Sequence, residues 1–440
     1  MRKEYKVLNI SLGCEKNLVD SEMIVGAFYK ANFTITTDIE EADIIIVNTC
    51  GFIDSAKEEA INTIVDVLEF KENGTKIIVT GCLVQRYQKE LEKLLPEVDL
   101  WVPIRDYYRF GDLLGNILLD DYSDLCVKME NRILSTPPYM AYVRISDGCN
   151  NRCNYCAIPL IRGNFVSRKE DDIVLEVEKL VKNGIVEINL ISQDLTNYGY
   201  DLRVNGENVT LVTLLQKLVK IEGIKWIRML YLYPDEITDE LIELVSKEES
   251  ILPYFDIPIQ HDSNKVLKAM NRRGTNEEIK ELINKIKNKM PDAVIRTTLI
   301  VGFPGESEED FEFLKEYIQE VPFEHLGAFA YSKEEDTKGY SMPNQVPKKI
   351  KNKRLSEILE TQRWVSLTKN KEFIGKQYDC IIERYDEETN KFYGRTYAFA
   401  PDDIDGAVIV DYNENVIINE INKVEIYEAD FYDLFAKLVK

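Results

Sequence analysis

Apolar and polar positions alternate along the chain in two recurring periods, and the first third reads as strand and helix in turn. Lys6–Leu12 is an apolar strand, followed by a helical stretch from about Asn17 to Ala31. Asp43–Asn48 is apolar and β-branched through its centre, the mark of a strand buried on both faces. Ser55 and Glu58 have capping-box spacing and predict a helix running to about Lys71. Lys76–Thr80 is a further strand, with a helix from about Val84. Strands alternating with helices imply a parallel sheet covered on both faces. Residues 119–138 are polar, end in Pro137-Pro138 and show no clean period, as expected of a linker.

A second alternating series follows. Its strand candidates are Ala141–Ser146, Glu187–Ser192, Ile227–Leu232, Phe255–Gln260, Ile295–Val301 and Leu326–Tyr331. Ser167 and Glu170 predict a cap for a helix with apolar face Ile173, Val177, Leu180 and Val181 that stops at Gly184. Thr275 and Glu278 predict another cap. Six strand–helix units fall short of the eight of a full barrel. A long charged helix, roughly Lys348–Lys371, closes the series. Beyond Gly375 the pattern becomes short and β-rich (Tyr378–Tyr385, Phe392–Tyr397, Ala407–Asp411, Lys423–Tyr427), which predicts a small antiparallel β-barrel. The expected fold class is therefore α/β. It comprises a parallel α/β domain at 5–118, a linker at 119–134, a partial barrel at 135–366 and the small barrel at 367–437.

Cysteine placement adds chemistry to this frame. Cys149, Cys153 and Cys156 form a Cys-x3-Cys-x2-Cys run just after the first strand of the second series. Three thiolates suit three corners of a cubane [4Fe–4S] cluster and leave the fourth iron open to a ligand. A structural zinc site would want four ligands, and neither His261 nor His325 is near in sequence. Cys14, Cys50 and Cys82 each follow a predicted strand and each adjoin a glycine. In a parallel sheet those strand ends share one edge, where ligands bind, so the three cysteines predict a second cluster. Three small buried thiols are the plainer alternative. Cys126 and Cys380 lack such context and read as ordinary thiols.

The chain has 440 residues and a net charge of −22. Residues 1–134 and 372–440 each carry −9. Such acidity disfavours polyanions and suits a basic partner, although it also serves solubility alone. No apolar run approaches the roughly 18 residues of a membrane span, and Met1–Lys6 leads into no signal-like apolar region. With few, dispersed cysteines, this points to a cytoplasmic protein.

The run from Cys149 to Cys156 resembles the cluster loop of the radical S-adenosylmethionine (SAM) superfamily, with Tyr155 where that family places an aromatic beside the adenine. Three cysteines on an N-terminal α/β domain, such a barrel and a small C-terminal (TRAM) barrel together resemble the methylthiotransferase family over essentially the whole chain. Asp147-Gly148-Cys149, Ile158 to Gly163, Asp256 to His261, Tyr331-Ser332, Asn344 to Pro347 and Arg395 to Gly406 resemble the RimO branch. Lys169 and Phe435 depart from its pattern, at positions usually proline and tryptophan.

The resemblance implies two [4Fe–4S] clusters, one on Cys14, Cys50 and Cys82 and one on Cys149, Cys153 and Cys156, with SAM at the latter. It implies a methylthio group placed on the β-carbon of an aspartate in protein twelve of the small ribosomal subunit, with an external electron donor and a sulfur source left open. A radical derived from SAM would remove the hydrogen, and a second SAM would supply the methyl group. Ser192, Gln193 and Asp194 occupy the place where the superfamily binds the SAM amino group; a polar helix cap is the alternative. Ile300 and Gly302 are candidates to line the adenine, with Gly302 otherwise a turn glycine. Arg162 and Arg168 are candidates to meet cofactor or sulfur-side groups, or else to form salt bridges. The acidic C-terminal barrel argues against free tRNA as partner, since phosphate binding demands basic surfaces. Lys348 to Arg354 reads as a solvated helix face. A tRNA adenosine methylthiotransferase (MiaB type) and a non-enzymatic iron–sulfur carrier or sensor are the competing readings.

Overall fold

The computed structural model describes residues 4–439. It divides into two compact units: Met1–Thr136 with Asp147–Asn150 and Cys156–Val166, and Pro137–Ser146 with Asn151–Tyr155 and Ser167–Lys440.

The first unit is built on a five-stranded parallel sheet, in the order Thr34–Ile35, Lys6–Ser11, Ile44–Thr49, Lys76–Gly81, Leu100–Pro103. Successive residues of a strand face opposite sides. Ile44 and Ile46 accordingly enter a core with Phe28 and Phe110, while Ile45 and Val47 enter another with Ile64 and Leu83. Both faces are covered, which is why the strand reads as an unbroken apolar run. Each isoleucine so buried contributes roughly 1.5–3 kcal/mol.

The predicted cap at Ser55 does not form. The helix begins two residues earlier than that cap implies, at Asp54, with Ile53 in the cap position and no side-chain cap bond. Asp54 takes the first turn, where a carboxylate suits the helix dipole, and pairs with Lys57 at 2.7 Å. The helix ends at Leu68, and a 3-10 turn carries the chain to Gly74. The aperiodic stretch after Leu118 is folded down rather than loose. Tyr122, Leu125 and Val127 join the first core, and buried Glu22 accepts from Arg132 Nε at 2.5 Å and from Ser135 N at 2.7 Å. A Cβ on Gly26 would lie 1.8 Å from Asn131 O, so the helix face under this stretch admits only glycine there.

The second unit holds a six-stranded parallel sheet in sequential order: Met140–Arg144, Glu187–Ile191, Trp226–Met229, Ile251–Asp256, Val294–Val301, His325–Ala330. The fourth strand lies earlier than predicted, because Pro258 has no N–H for a ladder and the chain has left the strand by Gln260, at φ 73. The cap at Thr275 forms as a reciprocal box with Glu278. The cap at Ser167 does not: Lys169 is the cap residue, and the Ser167 hydroxyl is taken by Gly199 N at 2.9 Å.

After the helix Lys348–Asn370, five strands close into a barrel: Gln377–Asp386, Lys391–Arg395, Val408–Asp411, Ile421–Ala429 and Leu434–Leu438. Four pairings are antiparallel; the pair of Val408–Asp411 with Leu434–Leu438 is parallel. That last short strand has no expectation behind it in the sequence pattern. The end of the second of these strands and most of the segment that follows it, apart from the exposed Asp402, Asp403 and Ile404, pack against the six-stranded sheet. Arg395 Nη2 meets Glu187 Oε2 at 2.5 Å, Tyr254 donates to Asp405 at 2.5 Å, and His325 Nε2 lies 2.7 Å from Ala398 O.

Candidate functional site

In the first unit the three strand ends bring Cys14, Cys50 and Cys82 to one edge of the sheet. Cys14 is the cap residue of the helix Glu15–Lys30, Cys50 follows Ile44–Thr49, and Cys82 opens the helix Cys82–Leu94 directly after Gly81. Gly81 sits at φ 98, and a Cβ there would meet Asn48 Oδ1 and Thr49 O at 2.4 Å, so this turn requires glycine. Gly13 lets the Cys14 turn pass Cys50: a Cβ would stand 2.7 Å from Cys50 Cβ.

Cys14 is exposed, while Cys50 and Cys82 are buried. Burial pushes the Cys50 thiol up and the Cys82 thiol up to about 12, with charge on the other two cysteines raising Cys82 further and Arg162 opposing the rise. The donor set of the three cysteines is all thiol, which suits iron–sulfur clusters. Among the described residues no group of three or more His, Cys, Asp or Glu side chains stands ready to hold a metal ion. The cysteines share a place in the fold, and ligation would draw their side chains together.

Arg162, the C-cap residue of the short helix Ile158–Ile161 after Cys156, is packed into this edge. Its Nη1 meets Asp20 Oδ2 at 2.7 Å and its Nη2 donates to Asn17 Oδ1 at 2.8 Å. The same Nη2 is 3.5 Å from Cys82 Sγ. Burial works against its charge, but Asp20, Cys82 and Asp147 keep the guanidinium protonated far into the alkaline range. Ala157 and Ile161 pack against Cys82. Within the same unit Cys149 N donates to Gly163 O at 3.3 Å, and Ile158 N donates to Cys156 Sγ at 3.4 Å.

The middle of the cysteine run belongs to the second unit. Asn154 N donates to Met270 O at 2.8 Å and Asn154 Nδ2 to Ala269 O at 2.8 Å, while Gly339 N donates to Asn154 O at 2.7 Å. Arg272, absent from the sequence expectations, is half-buried against this segment. Burial opposes its charge, but Tyr155, Cys153 and Tyr233 raise its pKa, with a hydrogen bond to Cys153. Its guanidinium lies 4.0 Å over the Tyr233 ring. The local hint is the pair Arg272-Arg273 just ahead of the predicted cap at Thr275.

The remaining candidates fall into two groups. Tyr155 and Ile300 pack on one cluster with Val266, Met270, Phe303 and Tyr331. Gly302, at φ 75, donates its N–H to Glu306 Oε2 at 2.7 Å nearby. Ser192 and Asp194 are buried and engaged: Ser192 Oγ is 2.5 Å from Ser146 Oγ, and Asp194 accepts from Asn151 Nδ2 at 2.7 Å and Asn197 Nδ2 at 2.8 Å. Gln193 between them is half-buried. Arg168 pairs with Glu176 at 2.6 Å and donates to Arg144 O at 2.7 Å, apart from that cluster.

Comparison with known proteins bears on the whole chain. Residues 6–103 match the uncharacterized protein family UPF0004, residues 143–318 the radical SAM superfamily and residues 374–439 the TRAM domain. A ribosomal protein uS12 methylthiotransferase RimO of Alkaliphilus oremlandii is 46% identical over 432 residues, covering 98% of each chain. The protein of that name from Clostridioides difficile is 44% identical over 443 residues, covering 99% of each. Among solved structures, the radical SAM methyltransferase TsrM of Kitasatospora setae aligns with a TM-score of 0.53 at 12% identity, over 73% of this chain and 72% of that one, a likeness of fold.

Proposed function

The chain belongs to the ribosomal protein uS12 methylthiotransferase family within the radical SAM superfamily, and on that footing we propose how its residues divide the chemistry. It is a radical SAM methylthiotransferase that acts on ribosomal protein uS12. The finer reading is that the methylthio group goes to the β-carbon of an aspartate. It further assigns Cys14, Cys50 and Cys82 to one [4Fe–4S] cluster and Cys149, Cys153 and Cys156 to another. When bound, these groups and SAM supply one-electron cleavage of the cofactor and a sulfur for an unactivated carbon, chemistry no side chain offers by itself.

The residues hold and orient. Cys149, Cys153 and Cys156 would keep one iron open for SAM, and Tyr155 and Ile300 offer an apolar wall for its adenine. Ser192, Gln193 and Asp194 shape the strand end beside it; the bonds of Asp194 to Asn151 and Asn197 fit a role in keeping the cysteine run in place. Arg272 would set a positive charge beside Cys153. The domains are taken as 5–118, 119–134, 135–366 and 367–437, with the acidic last one suited to a basic ribosomal protein. No helix among the described residues is long and apolar enough to cross a membrane. The proposed setting is the cytoplasm, with an external one-electron donor and a separate sulfur source.

The observation that carries this reading is the meeting of three strand-end cysteines at one sheet edge in a chain that also bears the Cys-x3-Cys-x2-Cys run. The test is anaerobic turnover of reconstituted protein with SAM and dithionite. Purified uS12 and bulk tRNA are offered separately and read by mass spectrometry. A methylthio adduct on an aspartate of uS12 alone is expected. An adduct on adenosine, or none with 5′-deoxyadenosine still formed, would overturn the substrate assignment.

A further inference from the structure

Buried polar groups at the cysteine edge of the first sheet gather on one side chain, Asn17, which is fully buried. Its Nδ2 donates to Leu12 O at 3.1 Å and to Thr49 O at 2.9 Å, the carbonyls that lead into the Cys14 and Cys50 turns. Its Oδ1 accepts from Cys82 Sγ at 3.2 Å. One amide thus touches all three cysteine-bearing turns. Its backbone carbonyl is held in turn by Asn48 Nδ2 at 2.8 Å.

The second group at this point is Arg162. Its side chain and that of Asp20 are each only 2% exposed. A buried guanidinium is costly unless its charge is matched. Asp20 matches it, yet the nitrogen not on Asp20 is directed between Asn17 Oδ1 and Cys82 Sγ. A thiol that ligates a metal is deprotonated. Once Cys82 carries no proton, its bond to Asn17 Oδ1 is lost. The amide cannot turn to donate, because both its N–H groups are occupied by carbonyls. Among the described residues the donor directed at it is then Arg162 Nη2, at 3.5 Å.

We propose that Asn17 and Arg162 are positioning residues of the Cys14/Cys50/Cys82 site, Asn17 holding the three turns in register and Arg162 offsetting the thiolate of Cys82 with a fixed positive charge. This rests on the assignment of that triplet to an iron–sulfur cluster. The charge of Arg162 favours retention of iron, and it favours the reduced, more negative state of whatever cluster the cysteines hold. Asp20 is the counterweight, so the two residues should move the cluster's potential in opposite directions.

The experiment uses the full chain with Cys149, Cys153 and Cys156 all replaced by alanine, which leaves only the first triplet. It is reconstituted anaerobically with iron and sulfide. Iron content, iron loss to bathophenanthroline disulfonate and the midpoint potential from EPR-monitored titration are measured. The doubly neutral variant Arg162→Gln/Asp20→Asn should lose iron about tenfold faster than the parent, because of the two opposite charges removed the positive one stands against Cys82. Its midpoint should move negative. Asp20→Asn alone, which leaves the guanidinium only the longer Asp147 pairing at 3.4 Å, should move the midpoint positive and needs no change in the larger residue. A role confined to packing would not give shifts of opposite sign. Equal iron loss and an unmoved midpoint in both variants would overturn the inference while leaving the cluster assignment standing. A parent that takes up no iron would overturn the assignment and the inference together.

Discussion

Replacing Arg395 by methionine should destabilise the second unit more than any surface change of equal size. The guanidinium is buried and donates Nη2 to Glu187 Oε2 at 2.5 Å, Nη1 to Glu187 Oε1 at 3.0 Å and Nε to Glu383 Oε1 at 2.6 Å. Glu187 is itself fully buried. Burial works to raise its pKa, but Arg395 and then Arg228 hold it below the ordinary carboxylate range. Without Arg395 the carboxylate keeps only Arg228 Nε, at 3.5 Å. Breaking a buried ion pair from one side costs about 3–5 kcal/mol. The surviving Arg228 contact puts the expected loss near the lower figure, about 3 kcal/mol, or roughly 100-fold in the folded-to-unfolded ratio. Urea unfolding followed by tryptophan fluorescence is a suitable assay, since Trp226 is buried on the strand paired residue for residue with Glu187. The double variant Arg395→Met/Glu187→Gln removes both charges and should cost less than the sum of the singles. A loss below about 1 kcal/mol for Arg395→Met, in the range of a solvated surface pair, would refute the reasoning.

Other outcomes follow from the same geometry. Gly81→Ala should lower the iron content of the reconstituted protein, because its Cβ would lie 2.4 Å from Asn48 Oδ1 and Thr49 O at the turn into Cys82; iron analysis beside the parent checks it. Tyr254→Phe leaves Asp405 Oδ2 without its 2.5 Å donor and should reduce stability by about 1.5–3 kcal/mol by urea titration. Burial raises Asp405, yet His325, Arg296 and Tyr254 bring it below its ordinary value. The stability that Asp405 and Glu187 contribute is therefore complete above their unfolded pKa of about 4 and is lost as pH falls through their folded values. Asp405→Asn should flatten that acid limb of the urea midpoint. His261 runs the other way: burial lowers its pKa, but Asp262 and Glu306 raise it above the ordinary value. Its contribution is complete below about pH 6.5 and is lost as pH rises through the folded value, so His261→Gln should flatten the alkaline limb.

Much of the fold was legible because its determinants are local. Strands buried on both faces had to be unbroken apolar runs, as Ile44 to Val47 show by entering two cores. Helix ends were read less well. Thr275 caps its helix, but Ser55 and Ser167 do not: Ser55 lies inside a helix that already starts at Asp54, and Gly199 N takes the Ser167 hydroxyl. The closing strand Leu434–Leu438 escaped because it is only five residues long, and it is held from two sides, antiparallel to its neighbour Ile421–Ala429 and parallel to Val408–Asp411. Arg395 to Gly406, which resembles a branch signature, also carries two charges, Arg395 and Asp405, buried against the six-stranded sheet.

By itself the sequence determined the chemistry on offer. Three cysteines within eight residues need no tertiary fold to act together, and cysteines at successive strand ends of a parallel sheet must share an edge. Only the tertiary structure decided what surrounds them. Arg162 stands beside Cys82 across 80 residues, Arg272 beside Cys153, and Asn17 beneath three turns at once. Periodicity records which side of an element is buried. It does not record which buried charge meets which, because that is settled by contacts between segments remote in the chain, where desolvation forces every polar group to find a partner.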